Sequence, residues 1–171
     1  MVKISVCFEM FWKDMPIEEK ILRVKENGFS AFEFWSWKNK DIEKIKKVKE
    51  ENGLDIAAFC MEPNLCLTKY GNINEIKEGL KESIKIANFL NCKRLIVTTG
   101  NLIYGENFEL TRRKVVSKLK EMLKIVEDAG ITLLLEPLNP LVDHQGYWLN
   151  KIVDAVDIIE EGNSPNLKIL F

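Results

Sequence analysis

The chain has 171 residues, a formal net charge of -1 and 30 % charged side chains. That length suits one domain with a sizeable core, and so balanced a charge gives no electrostatic case for nucleic acid or an anionic membrane as partner. No apolar run reaches the roughly 18 residues of a membrane span, and Met1-Val2-Lys3 enters an apolar segment directly, without the long hydrophobic stretch and small-residue cleavage site of a secretory leader.

The elements alternate along the chain. Ile4-Ser5-Val6-Cys7-Phe8 is nearly all apolar, as in a buried parallel strand, and predicts strand one. Ile17, Ile21 and Val24 recur at helical spacing and end at Asn27-Gly28, a helix stop. Ala31–Trp35 reads as strand two. Ile42, Ile45 and Val48 mark a second helix, ending at Asn52-Gly53. The basic run Lys44–Lys49 within it is broken by apolar residues at helical spacing and reads as a solvated face. Asp55–Cys60 is strand three. Ile73, Ile76, Leu80, Ile84 and Ala87 form one long stripe. Arg94–Thr99 is strand four. Val115, Leu119, Met122 and Val126 line the fourth helix, closed by Ala129-Gly130. Thr132–Glu136 is strand five. Ile152, Val156 and Ile159 follow on a fifth helix closed by Gly162, and Leu167–Phe171 is strand six.

Strands recur at roughly the spacing of βαβ units, so the fold class is α/β with a parallel sheet covered by helices. An open doubly wound sheet is the competing architecture. Against it, no strand is followed by a glycine-rich phosphate turn, and the lone Gly100 after strand four is weak grounds for one. The expected architecture is an incomplete (β/α)8 TIM barrel, strands one to six with five intervening helices, as a single partial domain over residues 1–171. A complete barrel needs roughly 250 residues. The expectation is that the C-terminal βα units are lacking, which leaves strands one and six with open edges and some helix faces uncovered. Continuation of the same gene, a second chain and self-association into a homo-oligomer are the three ways such edges become covered.

The four cysteines show no CxxC pair, and Cys7 and Cys60 fall inside strands. They read as free thiols of a reducing, cytoplasmic compartment, and with a single histidine in the chain they make no metal cluster.

In βα architectures chemistry gathers where strands end. Those positions are rich in polar and aromatic residues: Glu9, Phe11 and Trp12; Trp35, Ser36, Trp37 and Lys38; Met61-Glu62-Pro63-Asn64; Thr98-Thr99-Gly100-Asn101; and Glu136-Pro137-Leu138-Asn139 followed by Asp143–Trp148. Such a rim suits a small polar ligand held between apolar walls. Glu136 is the sharpest signal, because three leucines carry a carboxylate to the end of an apolar run, where a charge is costly unless paired, solvated or metal-bound. A structural carboxylate paired to a lysine is the competing reading. His144, the only histidine, stands between Asp143 and Tyr147 on the same loop and could hydrogen-bond a substrate hydroxyl or carboxylate. Glu9 and Glu62 could each be a ligand contact or an ion-pair partner for Lys13 or Lys69, and the structural reading is favoured.

Phe32-Glu33-Phe34-Trp35, and above all Leu135-Glu136-Pro137-Leu138-Asn139 with Val142–Trp148, resemble the xylose-isomerase-like TIM-barrel superfamily, and within it the hydroxypyruvate isomerase group. The resemblance implies a metal-dependent isomerase that moves a proton between adjacent carbons through an enediolate, with Mg2+ or Mn2+ as cofactor and hydroxypyruvate or a small sugar as substrate. It makes Glu136 both metal ligand and one of two acid/base glutamates, and expects the other metal ligands and the second glutamate beyond Phe171. Trp35, Trp37, Thr98, Asn139 and His144 become the expected substrate contacts. Sister activities share the strand-five glutamate, a ketose 3-epimerase or an inosose dehydratase, and a non-catalytic fragment that only binds or assembles is a separate alternative. The DNA-repair endonuclease branch, with a histidine-rich three-zinc site and a basic surface, is disfavoured by one histidine and the net charge of -1.

Overall fold

The computed structural model describes residues 3–171; Met1 and Val2, part of the leader argument, lie outside the described residues. Six strands and five helices alternate: β1 (Ser5–Cys7), α1 (Ile17–Glu26), β2 (Ala31–Phe34), α2 (Ile42–Glu51), β3 (Asp55–Cys60), α3 (Ile73–Phe89), β4 (Arg94–Val97), α4 (Phe108–Ala129), β5 (Thr132–Leu135), α5 (Ile152–Gly162) and β6 (Leu167–Ile169). All strand pairs are parallel, in the spatial order β1-β2-β3-β4-β5-β6. The doubly wound alternative is thereby excluded, because no crossover reverses the order. The sheet curves as a barrel wall that is not closed, with β1 and β6 at its two ends.

The strands are shorter than the apolar runs suggest. β1 stops at Cys7, where Phe8–Met10 tightens into a single 3-10 turn, and β2 ends before Trp35. Helix ends follow local chemistry. Asp41 caps α2 by accepting the Lys44 amide at 2.9 Å, and Asn107 caps α4 by accepting the Leu110 amide at 2.8 Å. α4 stops at Gly130, whose φ of 64° is left-handed and comes readily only to glycine.

Strand alternation sorts the side chains onto two faces. On β2, Phe32 and Phe34 are fully buried, while Ala31 and Glu33 are half-buried on the opposite face. The buried face joins Phe8, Phe59, Ile21, Val24 and Ile45 in one core, with the Phe34 and Phe59 rings stacked at 5.1 Å. The register between β2 and β3 shifts after Phe32, so that Glu33 lies opposite Ala58. The Ala57 carbonyl, bypassed by that bulge, accepts from Arg94 Nε at 2.6 Å. Lys49 departs from the expected solvated face of α2: it is buried, because the stripe that holds Ile45 continues onto it and its long stem covers apolar surface.

One helix contact shapes the site. Gly79 of α3 faces the segment after β3, and a Cβ there would overlap Pro63 Cδ and come 2.7 Å from the Glu62 carbonyl. Backbone on one side cannot yield as a flexible side chain would. Gly79→Ala is expected to destabilise the fold by about 1–3 kcal/mol, as overpacking does. Urea unfolding midpoints compared between the two proteins check this.

Candidate active site

At the carboxyl ends of the strands lies a cavity of about 660 Å3, lined from all six strand ends. Its acidic wall is Glu33, Glu62 and Glu136; its polar wall includes Asn64, Thr98 and Asn101; Met10, Trp35 and Ile96 are apolar. Beside it, a wider cleft of about 900 Å3 opens at the end of the sheet, between Ser5 and the segment Leu170-Phe171. Glu33 and Glu136 line both spaces.

Glu136 follows β5 directly. Its amide still donates to the Val97 carbonyl at 3.0 Å, so the strand ladder fixes its backbone. Alternation places Thr132, Leu134 and Glu136 on the half-buried face, with Leu133 and Leu135 buried behind. Its carboxylate has no ion pair or hydrogen bond among the described residues, so the lysine-paired reading fails; only its backbone carbonyl is engaged, by the Tyr147 hydroxyl at 3.2 Å. Burial raises its pKa above the ordinary carboxylate value, the His144 charge draws it down, and the Glu33 charge pushes it up. A carboxyl tuned upward and left unpaired is suited to taking and returning a proton.

The other expected contacts divide. Trp35, half exposed at 51 %, lines the cavity, as do Thr98 and His144. Thr98 Oγ1 donates to Asn64 Oδ1 at 2.5 Å, linking the ends of β4 and β3. Asn139 lines the cleft instead, and its Oδ1 accepts the Leu141 amide at 2.9 Å. Trp37 lines neither space; its indole N–H donates to Ser83 Oγ at 3.2 Å. The same Ser83 hydroxyl accepts from the Glu62 amide at 2.9 Å and donates to the Glu62 carbonyl at 3.1 Å, so Trp37 braces the loop after β3 from behind.

Glu9 has a structural partner, but Lys40 rather than Lys13: the pair closes at 2.5 Å with both side chains largely shielded. Glu62 pairs with no lysine among the described residues; its carboxylate accepts the Asn64 amide at 3.2 Å and faces the cavity. Glu33 is the acidic residue that the strand-end rule missed. It stands one residue inside β2, accepts from the Ser5 hydroxyl, and reaches the cavity because its face of the sheet is the barrel lumen. The period-two pattern of Ala31–Phe34, apolar outward with a lone carboxylate inward, is the signal that identifies it.

Cys7, Cys60 and Cys66 also line the cavity as free thiols. Burial, reinforced by the Glu136 charge, pushes the Cys60 thiol up to about 12, so it stays protonated and is no nucleophile at neutral pH.

Comparison with known proteins agrees with this architecture. A protein of Danio rerio named "Putative hydroxypyruvate isomerase" is 25 % identical over 183 residues, which cover 99 % of this chain and 66 % of that protein. A protein of the same name from Caenorhabditis elegans is 22 % identical, over 99 % of this chain and 67 % of its own. The chain thus spans about two thirds of the length of these relatives. Among solved structures, an AP endonuclease of family 2 from Brucella melitensis superposes on all of this chain and 68 % of its own, with a TM-score of 0.90 at 21 % identity. A D-psicose 3-epimerase from Clostridium cellulolyticum H10 superposes on 98 % of the chain and 62 % of its own, with a TM-score of 0.80 at 17 % identity. Residues 21–171 match the model of the xylose isomerase-like TIM barrel, and with six parallel strands in barrel order the chain belongs to that family.

Proposed function

We propose that the chain carries the β1–β6 part of an isomerase site, in which Glu136 moves a proton between adjacent carbons of a small hydroxylated carbonyl compound of the hydroxypyruvate type. The observation that carries this reading is the unpaired Glu136 carboxylate, raised in pKa by burial and facing a cavity with polar and apolar walls. Relatives named for hydroxypyruvate isomerase support the substrate class.

The chemistry requires a base beside the carbon alpha to a carbonyl. As carboxylate, Glu136 takes that proton and leaves an enediolate; the proton of the adjacent hydroxyl passes to the former carbonyl oxygen, Glu136 as carboxylic acid returns its proton to the former carbonyl carbon, and the carbonyl has moved by one position. A carboxyl tuned upward from the usual range serves both directions better at neutral pH, because its two forms lie closer in free energy there. Thr98, Asn64 and Asn101 offer hydroxyl and amide groups to the substrate oxygens, and Trp35 covers its apolar face.

The donors present do not make a Mg2+ or Mn2+ centre. Such ions take about six oxygens, and no group of three or more His, Cys, Asp or Glu among the described residues is placed to hold one. Glu136 is the single ligand that the family resemblance assigns within this chain. The proton transfer is therefore derived from Glu136 itself.

A second reading, a ketose 3-epimerase, is favoured by one specific feature. Glu33, Glu62 and Glu136 face a cavity whose one basic side chain is His144. That balance suits a neutral sugar better than an anionic acid.

Proton exchange separates the readings. The 171-residue protein, incubated in deuterium oxide with hydroxypyruvate and, separately, with the ketohexose D-tagatose, is followed by NMR. Deuterium entering the carbon next to the hydroxypyruvate carbonyl is the expected result. Deuterium entering only the ketohexose makes the epimerase the correct assignment, and exchange into neither removes the catalytic reading for this chain.

A further inference from the structure

We propose that Tyr147 is a positioning residue for Glu136, its hydroxyl standing in the place of a strand-ladder rung between β4 and β5. The proposal deepens the reading above and rests on Glu136 being the proton-transferring group.

The ladder itself identifies the position. β4 and β5 are parallel, with Val97 opposite Leu135. Thr132 donates its amide to the Lys93 carbonyl at 2.9 Å, and Glu136 donates to the Val97 carbonyl at 3.0 Å. In a parallel pair the bonds run alternately in each direction. The next rung would be the Thr99 amide donating to the Glu136 carbonyl. That bond is replaced. The Thr99 amide donates to the Tyr147 hydroxyl at 2.6 Å, and the same hydroxyl donates to the Glu136 carbonyl at 3.2 Å. One phenol both accepts and donates, so both backbone groups stay satisfied while the strand ends are held apart by the width of an oxygen.

The placement is anchored from both sides. Tyr147 is 4 % exposed. Its backbone forms an antiparallel bridge with Asn101. The Trp148 amide donates to the Gly100 carbonyl at 3.0 Å, and the Leu102 amide to the Gly146 carbonyl at 2.8 Å. The segment after β5 therefore lies as a short strap against the segment after β4. His144, three residues before Tyr147, rides on that strap, and the Tyr147 amide donates to its carbonyl at 3.0 Å. One hydroxyl thus sets the splay of the residues that present Thr98 and Glu136, and ties that splay to the loop that brings His144.

Tyr147→Phe keeps the ring and removes the hydroxyl. The strand ends then either close into a direct rung or leave two buried backbone groups unpaired, and both move Glu136. Thr68→Val is the structural control: it removes the bond from Thr68 Oγ1 to the Asn101 carbonyl, 2.9 Å, in the segment the strap pairs with, without touching Tyr147. The primary readout is the side-chain carboxyl carbon resonance of Glu136 in 13C-labelled protein, assigned by its disappearance in Glu136→Gln. In Tyr147→Phe it is expected to shift together with the Thr99 amide, and in Thr68→Val to stay. Where exchange activity is measurable, kcat falls by up to about 10²-fold, the scale of a small misplacement of a reacting group, with KM held. A Glu136 resonance unmoved in Tyr147→Phe overturns the proposal, as does an equal shift in both variants. If Glu136→Gln retains full exchange activity, the assignment of Glu136 fails, while the resonance still decides whether Tyr147 positions it. Should Tyr147→Phe not fold, wild-type protein grown on 3-fluorotyrosine keeps the ring and alters the strength of the hydroxyl's bonds; an unmoved Glu136 resonance there is equally fatal.

Discussion

Glu136→Gln is expected to lower proton-exchange activity by about 10²–10⁴-fold, the scale of losing a general acid–base group, while raising the thermal midpoint at neutral pH. The two effects share one cause. Burial holds the Glu136 carboxyl above its ordinary value of 4.5. The folded chain therefore binds that proton more tightly than the unfolded chain does. The stabilising contribution of the protonated form is complete at pH below the unfolded value and is lost as pH rises through the raised folded value. At pH 7 the wild type carries a desolvated charge that no lysine or arginine offsets, and glutamine has no such charge. Near pH 4 and below, where both chains present a neutral side chain, their midpoints converge. Thermal melts of both proteins across pH 3.5 to 8, beside the deuterium-exchange assay, check the pair. A lower midpoint for glutamine at pH 7 would mean that the carboxylate is structural.

Phe34→Ala is expected to cost about 3–5 kcal/mol, the usual loss for an aromatic truncated in a core. Phe34 has no exposed surface, stacks on Phe59 at 5.1 Å and on Phe8 at 6.0 Å, and carries Lys40 over its ring at 5.7 Å. Three successive strand regions lose a common contact when it goes. On a chain of this length that is about 10 °C of thermal midpoint, and a large share of the roughly 5–15 kcal/mol a domain commonly has. Lys40 also holds Glu9, so the turn after β1 is expected to loosen with it. Scanning calorimetry measures the midpoint; a loss under about 1 kcal/mol would place the aromatic cluster outside the stabilising core.

The alternation of elements was legible because it is local. Ile76, Leu80, Ile84 and Ala87 declare a helix by spacing alone, and all four are buried on one face of α3. Thr132–Leu135 declares a strand, and its period of two already places Glu136 on the opposite face from Leu133 and Leu135. Strand ends were less legible. Trp35 continues the apolar run of β2 and its carbonyl still accepts the Cys60 amide at 3.0 Å, but the strand itself ends at Phe34, since ending a strand depends on what its neighbours offer to bond.

Partner identity was not legible, because it is set across the sheet. The nearest basic residue in sequence suggested Lys13 for Glu9, whereas chain tracing brings Lys40 to it from beyond β2. Trp37 looked like a ligand contact by its place after a strand, and the helix that returns over β3 turns it to Ser83, 46 residues away. Glu33 is one residue too early for a strand-end rule and enters the site through the lumen face of the barrel.

By itself, then, the sequence determined the βα order, the buried faces of α3 and α4 and Glu136 at the end of β5, since each follows from periodicity along a few residues; on α5 the expected stripe of Ile152, Val156 and Ile159 is not the buried one, which is formed by Ala155 and Ile158. The tertiary structure alone decided that Glu33 and Glu62 share the cavity with Glu136, and that a tyrosine 48 residues beyond Thr99 completes the rung between β4 and β5. Those pairings depend on strand register and on the paths of loops across the barrel mouth, and no local spacing encodes either.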